Sequence, residues 1–175
     1  MSSVPMGPRL HVEERRLAMT FSVLMLCFLI GCVAGLRSMM APAIVCAGAY
    51  LGWLHLGGTS LGLLNNRVAL SVFTVLAVLE LIADKLPQAP PRIATMGLIA
   101  RMATGALSGG AIAVSARTSL LVGGALGLIG GIVGAYAGYY IRRGLVSQTK
   151  VPDFVIAVVE DLLAISGGLF VVSRL

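Results

Sequence analysis

The chain reads as an all-α integral membrane protein of about six transmembrane helices, some short or broken, arranged as two three-helix halves of inverted topology. Three observations lead there. Of 175 residues, 58% are apolar and 11% charged, whereas soluble domains carry about 45–50% and roughly 25%. The apolar residues fall into six runs, at 17–36, 38–57, 68–85, 93–116, 118–141 and 152–173. Each half also repeats one pattern, an Arg early in an apolar run followed by a Glu in the closing run. A mean hydropathy of +0.97 excludes a disordered tail or a nucleic-acid module, and the short intervals leave no space for a second, soluble domain.

Residues 1–16 form a polar tail containing Arg9, Arg15 and Arg16. The first apolar run, Leu17 to Leu36, holds twenty uncharged residues, or about 30 Å of helix, enough to cross the hydrocarbon. Basic residues before an apolar run also begin a secretory signal, and Leu29-Ile30-Gly31-Cys32 has the look of a lipid-attachment box. The membrane-like character of everything downstream argues against cleavage there. Arg37-Ser38 interrupts the run. Ser38 can cap a new helix, and Pro42 falls where a first turn tolerates proline. Residues 17–57 are therefore two helices in a tight hairpin or one broken helix.

The interval 57–67 has glycine and Asn-Asn turn chemistry, and residues 68–85 complete a first half spanning 17–85. Pro87, Pro90 and Pro91 make 86–92 a joint that no continuous helix can cross. The second half, 93–175, opens with a run containing Arg101, continues through the glycine-rich stretch 118–141 and a basic loop (Arg142, Arg143, Lys150), and closes on a helix begun by Pro152 and Asp153. The halves match in GLRSMMAPAI (35–44) with IARMATGALS (99–108), and in VLAVLELIA (75–83) with VIAVVEDLL (155–163).

The net charge of +6 fits basic residues holding loops at the membrane surface better than an acidic partner. For six spans, Arg9, Arg15, Arg16, Arg67, Arg117 and Arg174 fall on one side, and Arg37, Lys85, Arg92, Arg142, Arg143 and Lys150 on the other. That tie sets no orientation.

An unpaired charge at the bilayer centre costs about 2.5–3.5 kcal/mol on insertion scales. Arg37, Glu80, Arg101 and Glu160 are therefore the candidate pathway or substrate-binding residues, with Asp84 and Asp161 in second rank. Two Arg and two Glu suggest ion pairs that either line a polar cavity or staple helices together. Glycines at four-residue spacing (Gly31/Gly35, Gly105/Gly109, Gly123/Gly127/Gly131) let helix backbones approach closely. They serve packing within the chain or a homo-oligomer seam along 118–141. Trp53 with His55, and Tyr136, Tyr139 and Tyr140 with Arg142 and Arg143, read as interfacial belts. Cys27, Cys32 and Cys46 read as small core residues, without metal-ligand spacing. No enzyme signature is present, and no catalytic residue, cofactor, metal or nucleic-acid partner is expected.

GLRSMMAP, ELIADKLPQAPPR, GLIARMATGALSGGA and PDFVIAVVEDLLA resemble segments of the bacterial membrane proteins grouped as domain of unknown function 4126, the likeness covering most of 29–165. That resemblance implies a multi-pass protein of the inner (cytoplasmic) membrane, in contact with lipid and with no established substrate. The residues themselves favour a transporter or channel for a small solute or ion. The alternative is a non-transporting scaffold or lipid-binding protein whose ion pairs are structural.

Overall fold

A computed structural model describes residues 7–83, 94–148 and 153–175. It is all-helical: α1 (Gly7–Leu36), α2 (Met40–Tyr50), α3 (Arg67–Ala83), α4 (Thr95–Ser115), α5 (Leu120–Gln148) and α6 (Asp153–Val172), with a single 3₁₀ turn at Gly62–Leu64. Asp84, Lys85 and the joint 86–92 lie outside the described residues. Two helices outrun their apolar segments. α1 reaches back into the stretch expected as a polar tail, and α5 continues through Arg142 and Arg143, expected as a loop. Arg, Glu and Leu are good helix formers, and basic residues are favourable near a helix C-terminus.

All six expected helices are present, and not all of them are full-length spans. Among the described residues, four helices are long and apolar enough to cross a membrane: Glu13–Leu36, Thr95–Ser115, Leu120–Val146 and Val155–Val172. The run 38–57 contains only the 11-residue α2, about 16 Å long, which cannot span. It stops because the chain turns after Tyr50, with Gly52 (φ 81°) and Gly58 (φ 76°) in the left-handed region that favours glycine. The described part of α3 has 17 residues, at the lower end of the spanning range. Helix lengths of 30, 11 and 17 residues in the first half and 21, 29 and 20 in the second differ position by position.

Glycine contacts fix how the helices run. Along α5, Gly123, Gly127 and Gly131 lie against Gly109, Gly105 and the Arg101 carbonyl of α4, so α4 and α5 are antiparallel. On another side of α5, Gly127 and Gly131 lie against Gly31 and Gly35, so α1 and α5 are parallel. A methyl group on Gly31, Gly35, Gly127 or Gly131 would run into facing backbone. The close approach is the reason these positions carry no side chain, and their use is internal to the chain.

α2 follows the opposite course to α1. Arg37, Ile44 and Gly48 meet Asp161, Gly168 and Val172 in order, so α2 and α6 are parallel. At its far end, the His55 amide donates to the Ser115 hydroxyl at the C-terminus of α4. The chain thus reverses direction over Arg37–Met39, the hairpin alternative. Gly131, level with Gly35, stands halfway along the apolar run 120–141, and Asp161 stands near the middle of α6. The reversal therefore lies level with the middle of α5 and α6 and with the second turn of α4.

α1, α4 and α5 make the centre, α2 packs beside them, and α3 and α6 flank the assembly. On α3 only Ala77 is buried. Polarity is inside out compared with a soluble protein. Arg37, Arg101, Asp161 and Ser108 are buried, while Leu121, Met96, Leu162 and Leu163 are exposed. Exposed apolar surface on this scale requires lipid or a partner.

Packing a Cβ branch into the central contact should be costly. We expect Gly127→Val to lower stability by about 1–3 kcal/mol or more. Gly144→Ala, with nothing within 4 Å of the added carbon, should leave it unchanged or slightly raised. Thermal unfolding of the purified variants in detergent checks both.

Candidate functional site at the reversal between the first two helices

A helix end leaves carbonyls without partners at its C-terminus and amides without partners at its N-terminus. At Arg37–Met39 one helix ends and another begins, so both kinds of group meet in three residues. Locally the chain helps itself little. The Arg37 amide still donates to the Val33 carbonyl (2.9 Å), and the Met40 amide reaches the Arg37 carbonyl at 3.3 Å. Three more groups, the Ser38 and Met39 amides and the Gly35 carbonyl, are met by side chains from other helices.

From α3, the Glu80 carboxylate accepts three hydrogen bonds. Its Oε1 takes the Ser38 amide (2.8 Å) and hydroxyl (2.7 Å), and its Oε2 takes the Met39 amide (2.8 Å). The carboxylate caps α2 from outside, at the positive end of the helix dipole. Ser38, expected as the cap, instead adds its hydroxyl to the Glu80 site.

From α4, Arg101 donates through Nε to the Gly35 carbonyl (3.0 Å) and through Nη1 to the Gly97 carbonyl (3.1 Å). The first satisfies a carbonyl in the last turn of α1, at the negative end of its dipole. Thr104, one turn on, donates its hydroxyl to the Ala100 carbonyl (2.9 Å). From α6, Asp161 accepts from Arg37: Nε lies 2.6 Å from Oδ1, and Nη2 contacts the same oxygen. Arg37 is fully buried, and Arg101 and Asp161 are 6% and 7% exposed.

The structure therefore brings Arg37, Glu80, Arg101 and Asp161 to one turn. Asp161 ion-pairs with Arg37, while Glu160 is half-buried beside it. Asp84 lies outside the described residues. Sequence reasoning missed the Ser38 and Met39 amides and the Gly35 carbonyl, backbone groups with no residue-type signal. It also missed Ser108, a fully buried serine on α4 whose hydroxyl has no hydrogen-bond partner among the described residues.

The cysteines are free, Cys27 and Cys46 buried and Cys32 half-buried. Among the described residues no group of three or more His, Cys, Asp or Glu could hold a metal ion. At the edges, Arg67 stacks over Tyr50 (5.6 Å to the ring centroid) and Arg174 over Phe170 (4.6 Å). Tyr139 and Tyr140 meet edge to face.

Four long apolar helices, lipid-facing Leu and Met, and buried charge at a helix break define a multi-pass helical membrane protein. The chain belongs to the family described as domain of unknown function (DUF4126), whose model matches residues 24–173. No match was found among curated proteins or among solved structures.

Breaking the buried pair from one side leaves an uncompensated charge. Asp161→Ala should cost about 3–5 kcal/mol, and the double change Arg37→Met with Asp161→Leu should recover most of that loss. Equal unfolding temperatures for the single and double variants would contradict this account of the pair.

Proposed function

We propose that the protein is a small transporter or channel for a small solute or ion, and that the α1–α2 reversal is its polar site. The observation that carries this reading is a buried helix break, level with the middle of α5 and α6 and served by charged side chains from three different helices. In transporters, discontinuous helices put backbone donors and acceptors at the bilayer centre, where solute and coupling ion bind. A continuous apolar helix would cross lipid with no orphan groups at all, and apolar packing replaces a buried ion pair at little cost or with a gain. Keeping a break and four charges in hydrocarbon is an expense that function explains better than stability. On this reading the buried cluster is the closed state, Glu160 belongs to the pathway beside Asp161, and no chemical conversion of the solute is involved. The family resemblance suggests the bacterial inner membrane as its location.

A second reading has an observation of its own. Arg37 has no exposed surface, and every hydrogen bond described for Glu80 ends on the turn itself. A non-transporting membrane scaffold or lipid-binding protein would use the cluster in that way, as a clasp.

The two readings separate in proteoliposomes. We expect the intact protein to move at least one of protons, Na⁺, K⁺ or chloride. Glu160→Gln, and the charge-balanced double change Arg37→Met with Asp161→Leu, should abolish that flux while remaining monodisperse in detergent. Absence of flux for all four ions in folded protein, with both variants failing to fold, would favour the clasp.

A further inference from the structure

Resting on the transport reading, we propose that the solute is a small monovalent anion, and that it binds where the Glu80 carboxylate now sits. The chemistry of the turn selects the sign. Ser38 and Met39 offer two backbone amides and a hydroxyl converging on one carboxylate at 2.7–2.8 Å. They stand at the N-terminus of an 11-residue helix, where partial positive charge collects. Two guanidinium groups lie at the same turn, Arg37 fully buried and Arg101 nearly so, and both remain charged at any physiological pH. A carboxylate is already bound there, so the structure contains the complex in intramolecular form. Its size and single charge define the solute: a halide, nitrate or short monocarboxylate.

The occupant is replaceable because of where it comes from. Glu80 belongs to α3, of whose described residues only Ala77 is buried, so the helix that carries the carboxylate is the one least embedded in the bundle. When an external anion takes the three donors, Glu80 takes up a proton as it leaves. The anion's charge replaces the one Glu80 loses, so the net charge at the turn is unchanged and the Arg37–Asp161 pair stays intact. One anion and one proton enter together.

An independent observation marks the route. Ser108 is fully buried and its hydroxyl bonds to nothing among the described residues. It lies on the α4 face that carries Arg101 and Thr104, two turns nearer the end where Ser115 meets the His55 amide. Buried hydroxyls are nearly always satisfied, so a lone donor needs an explanation. A donor placed along an anion's path supplies one.

The test uses the full chain in liposomes with chloride, nitrate and glycolate as probes, and Na⁺ and K⁺ as controls. Anion uptake driven by an inward proton gradient is expected, without cation uptake. Ser38→Ala should raise the anion KM by about tenfold for the loss of one hydrogen bond to a charged group. Glu80→Gln, which keeps an acceptor oxygen on the turn, should leave anion flux that no longer responds to the proton gradient. Ser108→Ala removes an unsatisfied buried hydroxyl, so its unfolding temperature should hold or rise while anion flux falls. A structural role for Ser108 could not produce that combination. Cation flux without anion flux would overturn the anion assignment and leave the transport reading standing. No flux of any probe in folded protein would overturn both.

Discussion

Hydrocarbon offers no water to an exposed amide or carbonyl, and each one left bare there costs several kcal/mol. The reversal at Arg37–Met39 places a helix end and a helix start together inside the bundle, level with the middle of α5 and α6, so the surrounding helices are arranged to repair it. Glu80 repairs the amide side, Arg101 the carbonyl side, and Asp161 neutralises the Arg37 guanidinium left between them. Each repair is charge-assisted, roughly twice as strong as a neutral hydrogen bond. Each also comes from a different helix. The positions of α3, α4 and α6 around α1 and α2 thus follow from one local defect.

The glycines make the repair geometrically feasible. Arg101 can reach the Gly35 carbonyl because α1, α4 and α5 approach to backbone contact, Gly31 and Gly35 against Gly127 and Gly131, and Gly131 against the Arg101 carbonyl. A bulkier seam would hold α4 away from the end of α1 and leave that carbonyl bare. The glycine pattern and the charged cluster, which the sequence presents as separate signals, are one device: small residues bring the helices close, and closeness lets the charges serve backbone groups.

The membrane class, the six helices and the set of charged residues were legible because burying or exposing such residues in lipid carries large energies. The inward face of α6 was legible too. Ala157, Asp161, Ala164 and Gly168 share one helical stripe of small residues, and Glu160 stands about 100° away from it. On α3, Ala77 and Glu80 lie on one inward face in the same way. What the sequence hides is the shortness of α2. The run 38–57 is apolar apart from Ser38 and His55, and its helix stops through a turn at Gly52 that hydropathy does not register. The roles of the Ser38 and Met39 amides depend on where α3 docks, a tertiary fact with no local signature.

The charges also divide by the kind of element that carries them. The cations sit on the rigid part, Arg37 at the reversal and Arg101 on α4 inside the glycine contact. Their acidic partners sit on the flanking helices, Glu80 on α3 and Asp161 on α6. Any movement of a flanking helix away from the centre must pull opposite charges apart in a medium of low dielectric constant, which is prohibitive unless something else supplies the balance. The acids therefore hold α3 and α6 against the centre, and the buried charge that makes the turn costly to form also makes it costly to take apart.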